Sequence, residues 1–317
     1  MSGKEFRLNV LILEYLDKRL VFVTGKGGVG KSTVAIAMGI RAAMEGKRTI
    51  VVEVASTENT SRIFRQEDVG YREVEVSNDL WAISIDPDDS MREYVLLQLK
   101  VKAMRDLLFR SRMFTYLADA TPGLNELVTI GKIWELAQPD RKIKHGRRYD
   151  LVIVDSPATG HGISFLQTPR TFANIARVGP MHTQARELEE MICDHRLTGS
   201  VIVSLPEEMP VNETASLESE LTDGIGVAVD RVIMNALYPD RFPNEEIKAL
   251  EPLGESQDPE LRSAYRAARS QSRRSAAQQE QLARLHEMVS APITTLPFVF
   301  EPELSLKAAR RLAERLA

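Results

Sequence analysis

Nine residues between a β-branched run and a helical pattern constrain this chain more than any other feature. Residues 25–33 read Gly-Lys-Gly-Gly-Val-Gly-Lys-Ser-Thr. Residues 20–24 before them have the composition of a buried strand, and residues 32–45 have helical spacing. A glycine-rich loop that joins a strand to a helix and ends in Gly-Lys-Ser is typical of a phosphate-binding P-loop. The chain is therefore predicted to contain a nucleotide-binding α/β domain.

The chemistry of the loop predicts a role for each of its residues. Its glycines let backbone N–H groups converge on phosphate oxygens, and the helix N-terminus adds the positive end of its dipole. Lys31 would contact the β- and γ-phosphates, the Ser32 hydroxyl would ligate Mg²⁺, and Thr33 would bond the α-phosphate. The predicted ligands are thus ATP and Mg²⁺. The loop residues expected to bind them are Gly25, Gly27, Gly28, Val29, Gly30, Lys31, Ser32 and Thr33.

Short β-branched runs recur along the chain, separated by polar or helical sequence. They fall at residues 20–24, 49–54, 80–85, 151–155, 200–204, 231–235 and 292–296. Most are apolar without alternation, as expected for strands covered on both faces by helices. The pattern predicts an α/β P-loop NTPase with a mainly parallel, helix-covered central sheet and an α-helical subdomain. We expect a single domain over residues 1–317, with the subdomain contributed mainly by residues 88–145 and 170–199.

The composition argues against several classes of function and of metal site. The 317 residues are 43% hydrophobic and 27% charged with a net charge of −4, which argues against a broadly nucleic-acid-coating surface. No run approaches the ~20 apolar residues of a membrane span. Cys193 is the single cysteine, so disulfides within the chain and multi-cysteine metal sites are excluded. We expect a cytoplasmic protein with no nucleic-acid partner and no stable membrane insertion.

Lys26 makes the loop unusual, because a second lysine follows its first glycine. The loop resembles the deviant Walker A motif of the family that holds MinD, ParA, the nitrogenase iron protein and the ArsA-type ATPases. In that family the extra lysine reaches across a dimer interface to the partner's nucleotide and neutralises charge there. The resemblance implies that this chain works as a dimer and that Lys26 takes part in catalysis.

A second motif indicates the branch of the family. Residues 151–161 read Leu-Val-Ile-Val-Asp-Ser-Pro-Ala-Thr-Gly-His, followed by Phe-Leu-Gln-Thr-Pro at 165–169. Asp155 ends a buried strand, where a carboxylate can hold Mg²⁺ through water. This stretch, with residues 121–126, 203–214 and 232–235, closely resembles the ArsA-type ATPases, including the arsenite-pump ATPase and the ATPase that targets tail-anchored proteins. By that resemblance Asn235 would read the adenine edge, and Pro297 with Phe298 would pack on the base.

Two departures from the ArsA-type pattern bear on chemistry. The targeting ATPases usually share zinc through a Cys-x-x-Cys, whereas residues 236–291 contain no cysteine here, and Cys193 alone cannot supply an arsenite site. Family members also place Asp-Pro-Ala-His after the second strand, and its aspartate orients the attacking water. Here Glu53 stands nearest, with Glu58 a weaker substitute. Misplacing the water by ~1 Å can cost ~10²-fold in rate, so we expect slow or partner-dependent hydrolysis.

These arguments predict which residues act in catalysis and which hold the metal. The residues expected to act in catalysis are Lys26, Lys31, Glu53 and Asp155, and those expected to hold the metal are Ser32 and Asp155.

Several alternatives stay open. The main hypothesis is a dimeric ArsA/tail-anchor-targeting-type ATPase switch, paired with itself or a paralogous ATPase and coupled to a protein client through its helical subdomain. The alternatives are a non-catalytic ATP-binding subunit and a MinD/ParA-like positioning ATPase. Residues 303–317 form either the last core helix or a basic amphipathic membrane helix. The core helix is favoured, because its apolar face has Leu and Ala but no Phe or Trp.

Overall fold

The computed structural model describes residues 14–54, 59–64, 69–98, 121–141, 147–176 and 178–316. Eight strands of these residues form one sheet in the order β3-β4-β2-β5-β1-β6-β7-β8. In chain order they are β1 (Leu20–Thr24), β2 (Thr49–Val54), β3 (Val74–Ser77), β4 (Leu80–Ile85), β5 (Leu151–Asp155), β6 (Thr198–Ser204), β7 (Val229–Leu237) and β8 (Ile293–Pro297).

The sheet is mainly parallel, as predicted. Every neighbouring pair is parallel except β3 and β4, which are antiparallel at one edge. All seven predicted strands are present, and β6 and β7 are longer than expected. Strand β3 was not predicted, because a run of only four residues gives too short a pattern to identify from sequence. The parallel arrangement brings the C-terminal ends of β1, β2, β5, β6 and β7 to one edge of the sheet, where ligands bind in open α/β folds.

Helices cover both faces of the sheet. In chain order they are α1 (Lys31–Met44), α2 (Asn59–Phe64), α3 (Pro87–Gln98), α4 (Leu124–Ala137), α5 (Thr159–Ala176), α6 (Pro180–Cys193), α7 (Glu208–Ser219), α8 (Asn244–Ala249), α9 (Pro259–Met288) and α10 (Leu306–Arg315). A π-helical turn, Glu220–Ile225, continues α7. The sequence of the charged residues 259–285 is compatible with either one long helix or a hairpin, and the structure forms a single helix of 30 residues there.

Helix α10 belongs to the core. It packs against α1, and Leu312 and Leu316 are 2% and 1% exposed. Because its apolar face is already covered by this chain, the structure supports the core interpretation of residues 303–317 over the membrane one. None of the described helices is long and apolar enough to cross a lipid bilayer.

Helices α3, α4, α5 and α6 pack on one another beside the sheet, where the helical subdomain was predicted. The Tyr94 hydroxyl of α3 donates a hydrogen bond to Gln184 Oε1 of α6, at 2.8 Å. A cavity of about 360 Å³ lies between α3, α4 and α6, with Trp134, Met181 and Leu188 in its lining. Parts of the predicted subdomain, residues 99–120 and 142–146, lie outside the described residues.

A buried charge network joins the residues beside β3 to helix α4. The guanidinium of Arg141 is 1% exposed and bonds the carboxylates of Glu73 and Glu135 at 2.6–2.9 Å. The Tyr149 hydroxyl also donates to Glu73, at 2.7 Å. Each charge in the network is met by an opposite charge or a hydrogen bond, which is the condition under which buried ion pairs persist.

Candidate nucleotide-binding and hydrolysis site

The phosphate loop has a backbone that only glycine adopts readily. Gly25, Gly28 and Gly30 have φ angles of 142°, 82° and 94°. A Cβ on Gly25 would lie 2.3 Å from the Val203 carbonyl oxygen of β6. Gly30 precedes the first residue of α1 and leaves that helix without a side-chain cap. The N–H groups of the first turn of α1 are therefore available to an anion at this end of the helix.

The side chain of Lys31 folds back onto the loop that precedes it. Its ammonium donates a hydrogen bond to the Lys26 carbonyl oxygen at 2.8 Å. Burial lowers the pKa of Lys31 from its ordinary value, and the charge of Asp155 opposes this shift. A half-desolvated ammonium beside open backbone N–H groups is a strong attractor for a phosphate.

Asp155 lies at the C-terminal end of β5, as predicted, and is 7% exposed. Burial raises the pKa of its carboxyl to about 6, assisted by the charge of Glu53 and opposed by a hydrogen bond from Ser32 and the charge of Lys31. The structure therefore brings the two predicted metal ligands into direct contact. The next residue, Ser156, has a buried hydroxyl without a hydrogen-bond partner among the described residues.

Glu53 is the neighbour of Asp155 across the sheet. The two residues are register partners on the parallel strands β2 and β5, and the Glu53 side chain is 2% exposed. Register partners point to the same face of a sheet. The structure thus places both predicted carboxylates side by side near the C-terminal ends of β2 and β5. Glu58, the weaker candidate, lies outside the described residues.

Lys26 is bound within its own chain. Its ammonium donates to Glu213 Oε1 of α7 at 2.7 Å, and the two side chains are 33% and 41% exposed. The other carboxylate oxygen of Glu213 is buried and has no hydrogen-bond partner among the described residues. Glu213 was not singled out from sequence. It could have been found because it belongs to residues 203–214, which resemble the ArsA-type ATPases. This segment begins at the C-terminal end of β6, at the edge of the sheet where ligands bind.

Asn235 of β7 is 9% exposed and touches the loop directly. Its side-chain Nδ2 donates to the Val29 carbonyl oxygen at 3.0 Å. A Cβ on Gly30 would lie 2.4 Å from the same nitrogen, so this contact also explains a glycine at position 30. The amide of Asn235 thus contacts the phosphate loop, and its reading of the adenine base stays a prediction.

Pro297 and Phe298 lie where β8 ends. Phe298 stacks on Tyr238 with 4.8 Å between ring centroids and 9° between planes, so one face of its ring is covered. Phe300 meets both rings edge-on. Pro297, Phe298 and Phe300 line a cavity of about 510 Å³, which Arg241 and helix α10 complete. Tyr238 and Phe300 are aromatic partners that sequence reasoning missed.

The residues present fit a magnesium nucleotide. A hydroxyl and a carboxylate are the hard oxygen donors that Mg²⁺ prefers, and they meet at the start of α1. The positive-φ glycines open the backbone toward the same point, and Lys31 stands beside it. Among the described residues no group of three or more His, Cys, Asp or Glu could form a separate metal site.

The sheet order, the loop between β1 and α1 and the carboxylate ending β5 define a P-loop NTPase fold. Comparison with protein families matches residues 18–178 and 173–268 to the anion-transporting ATPase family, ArsA. The chain belongs to this family of ArsA/GET3-type ATPases.

Individual relatives agree with this assignment. The chain is 29% identical to ATPase BagA of Mycobacterium tuberculosis over 239 residues, covering 74% of this chain and 69% of that protein. It is also 26% identical to ATPase GET3 of Chaetomium globosum over 262 residues, covering 71% and 75% of the two chains.

Proposed function

We propose that this chain is an ATP- and Mg²⁺-dependent dimeric switch that couples its nucleotide state to a protein client. The observation that carries the proposal is the convergence of Lys31, Ser32 and Asp155 at the open N-terminus of α1. That arrangement supplies a cation for phosphates, two oxygen ligands for Mg²⁺ and free backbone donors. The single cysteine supports a reducing compartment such as the cytoplasm.

In the proposed reaction, water attacks the γ-phosphate while Lys31 and Mg²⁺ neutralise the developing charge. The Mg²⁺ would be held by Ser32 and, through water, by Asp155. Lys26 of the partner subunit would complete the site when two copies close. Glu53 is the candidate for orienting the water, and its position behind Asp155 in β2 supports slow or partner-dependent turnover.

The output of the switch is proposed to be the helical subdomain. Its helix α5 begins four residues after Asp155, so a change at that carboxylate is transmitted directly into α5. Helix α5 contacts α4 and α6, which border the cavity of about 360 Å³. Two exposed apolar side chains, Ile175 and Val178, follow at the end of α5. These features support a surface that binds a protein client.

Titration calorimetry with ATP, with and without Mg²⁺, tests the binding part. We expect Mg²⁺-dependent ATP binding that Lys31→Ala weakens ~30- to 150-fold, because a charge-assisted phosphate contact is worth ~2–3 kcal/mol. The exposed Lys248→Ala variant is the matched control and should bind normally. Equal binding by the Lys31→Ala chain would contradict the proposed site.

Single-turnover hydrolysis tests the catalytic part of the proposal. It also separates this proposal from the alternative of a non-catalytic ATP-binding subunit, which the missing aspartate after the second strand favours. We expect slow cleavage that is lost in Asp155→Ala and reduced at least ~10-fold in Glu53→Ala. Rapid turnover that depends on Asp155 and is unchanged in both Glu53→Ala and Glu58→Ala would remove the reason for proposing weak hydrolysis. Bound ATP that is never cleaved, even when a paralogous subunit is added, would establish the non-catalytic alternative.

A further inference from the structure

Helix α9 carries an unusual outer face. The residues between Leu261 and Gln279 include five arginines and no acidic residue, although the chain as a whole has a net charge of −4. Four of them, Arg262, Arg266, Arg269 and Arg273, recur at i, i+4, i+7 and i+11. At 100° per residue they fall within a sector of about 60°, and at 1.5 Å per residue they span about 16 Å. We call these four residues the arginine stripe.

The stripe lies on a solvent-exposed side of α9. One side of α9, centred about 110° from the stripe, is buried through Tyr265, Ala268, Ser272 and Ser275. Arg266, Arg269 and Arg273 are exposed, and no carboxylate of the described residues lies within ion-pair distance of them. Arg262 is half-buried and donates to the Ser256 carbonyl oxygen at 2.6 Å. The charge of this face is therefore left uncompensated by the described part of the chain.

The exposed residues between the arginines are small. From position 262 to 277 the exposed residues of α9 are all arginine, serine or alanine; the small ones are Ser263, Ala264, Ala267, Ser270, Ala276 and Ala277. Solvent-facing helix surfaces ordinarily mix both signs of charge, which lets oppositely charged side chains pair at i and i+4. On such a face the arginines repel one another when no partner is bound. The small residues beside them leave room for a second helix to approach closely.

We propose that the arginine stripe is a docking surface for an acidic helical segment of a partner protein. A helix with glutamates or aspartates at the same i, i+4, i+7, i+11 spacing would present one carboxylate to each guanidinium. Arginine suits this role because its planar fork bonds a carboxylate with two parallel hydrogen bonds. The inference goes beyond the nucleotide switch, because it concerns a different surface and a different class of ligand.

The shape of the surface favours a helix over other polyanions. The stripe is one side chain wide, so it matches a rod better than the flat face of a bilayer. It offers only Leu261, 42% exposed, as an apolar contact, which is little for membrane insertion. The net negative charge of the chain repels a long polyanion such as duplex DNA, whereas a short acidic segment interacts with the stripe within a Debye length of ~8 Å.

Fluorescence anisotropy with a synthetic peptide tests the proposal. The probe is a fluorescein-labelled helical peptide of about 18 residues, with glutamates at the stripe spacing and alanine or glutamine elsewhere. A peptide with lysines in place of the glutamates is its control. At about 0.01 M salt, where charges act over ~30 Å, we expect the full-length protein to bind the acidic peptide and not the basic one.

The triple variant Arg266→Ser/Arg269→Ser/Arg273→Ser should weaken binding at least ~10-fold, because each exposed pair contributes modestly. The matched control Arg148→Ser/Arg186→Ser/Arg196→Ser removes exposed arginines elsewhere and should bind like the unmodified chain. Circular dichroism should show that both variants keep their helices, since the substituted side chains are exposed. ATP binding should be unchanged in both, so failure of this proposal is separable from failure of the nucleotide site.

Four outcomes would overturn the proposal. They are absence of peptide binding, equal binding by the triple variant, tighter stripe-dependent binding to phosphatidylserine vesicles or a DNA duplex than to the peptide, and a peptide-free dimer that the triple variant abolishes. The last would assign the surface to a second copy of this chain.

Discussion

The ammonium of Lys26 lies 2.7 Å from the carboxylate of Glu213, so the lysine expected to act on a partner's nucleotide is bound to its own chain. Both side chains are about one-third or more exposed, which limits the strength of this pair to ~1 kcal/mol or less. An interaction of this size can hold Lys26 in place without preventing its transfer to a phosphate. In the proposed dimer, Glu213 of α7 would therefore compete with the nucleotide for the ammonium of Lys26.

Removing the charge of Glu213 should therefore favour the closed dimer. In Glu213→Gln, we expect the protein concentration needed for ATP-dependent dimerisation to fall up to ~5-fold, measured by sedimentation velocity. Lys26→Ala should abolish ATP-dependent dimerisation. Glu220→Gln, an exposed change just beyond the same helix, is the control and should behave like the unmodified chain. Weaker dimerisation of Glu213→Gln would mean that this carboxylate supports the closed state instead.

The carboxyl of Asp155 should make stability depend on pH. Its ordinary pKa of 3.8 is raised by burial to about 6, so the folded chain holds a proton between these values that the unfolded chain has lost. Stability therefore falls as pH rises from about 4 to about 6 and then stays lower, by ~1–3 kcal/mol. Without Mg²⁺, Asp155→Asn should be more stable by this amount at pH 7.5, and the gain should vanish near pH 4.

Urea unfolding across this pH range measures the effect. Addition of Mg²⁺ with ATP should stabilise the unmodified chain at pH 7.5 and stabilise Asp155→Asn much less, because the substituted amide is a poorer partner for a cation. A variant with the same stability as the parent at every pH would show that Asp155 is not strained by burial.

Gly30→Ala should block the site through two separate effects. The residue has a φ of 94°, which costs an alanine ~1–2 kcal/mol, and its Cβ would lie 2.4 Å from Asn235 Nδ2. We expect loss of ATP binding by calorimetry and a stability loss of ~1–3 kcal/mol. The double variant Gly30→Ala/Asn235→Ala should recover part of that stability, because the clash is removed while the backbone strain remains. Gly131→Ala, in open space on α4, should bind ATP normally.

Leu312→Ala should destabilise the whole domain, since this side chain is 2% exposed between α10 and α1. The expected loss is ~2–4 kcal/mol by thermal or urea unfolding. Arg310→Ala, exposed on the same helix, should change stability by less than ~0.5 kcal/mol. Neither variant should alter sedimentation with anionic liposomes. Liposome binding that Leu312→Ala abolishes without loss of stability would instead favour the membrane interpretation of residues 303–317.

Local sequence patterns predicted the parts of the fold that depend on short-range chemistry. The phosphate loop, the seven apolar strands and α9 are each encoded by consecutive residues, through glycine conformation, burial on both faces or helical spacing. The ends of the strands could also be placed, so Asp155 and Glu53 were expected near the loop. Their direct register across β5 and β2 was not, because strand order is set by long-range pairing.

The interactions missed from sequence join distant residues. Arg141 meets Glu73 across 68 positions, and Lys26 meets Glu213 across 187. A charged residue in isolation gives no sign of whether it faces solvent or a buried partner, so neither pair has a local signal. The same limit applies to Tyr238, whose stacking on Phe298 becomes visible only when β7 and β8 are side by side.

The packing of α10 on α1 has a consequence for how the chain is made on the ribosome. The loop and α1 emerge early, whereas Val203 and Asn235, which contact the loop, and α10, which covers α1, are translated much later. At ~5–20 residues per second this leaves the apolar face of α1 uncovered for on the order of 10–60 s. During this interval the uncovered apolar face is exposed to chaperones and to other nascent chains. The contacts of the loop with Val203 and Asn235 form only after β6 and β7 have been made.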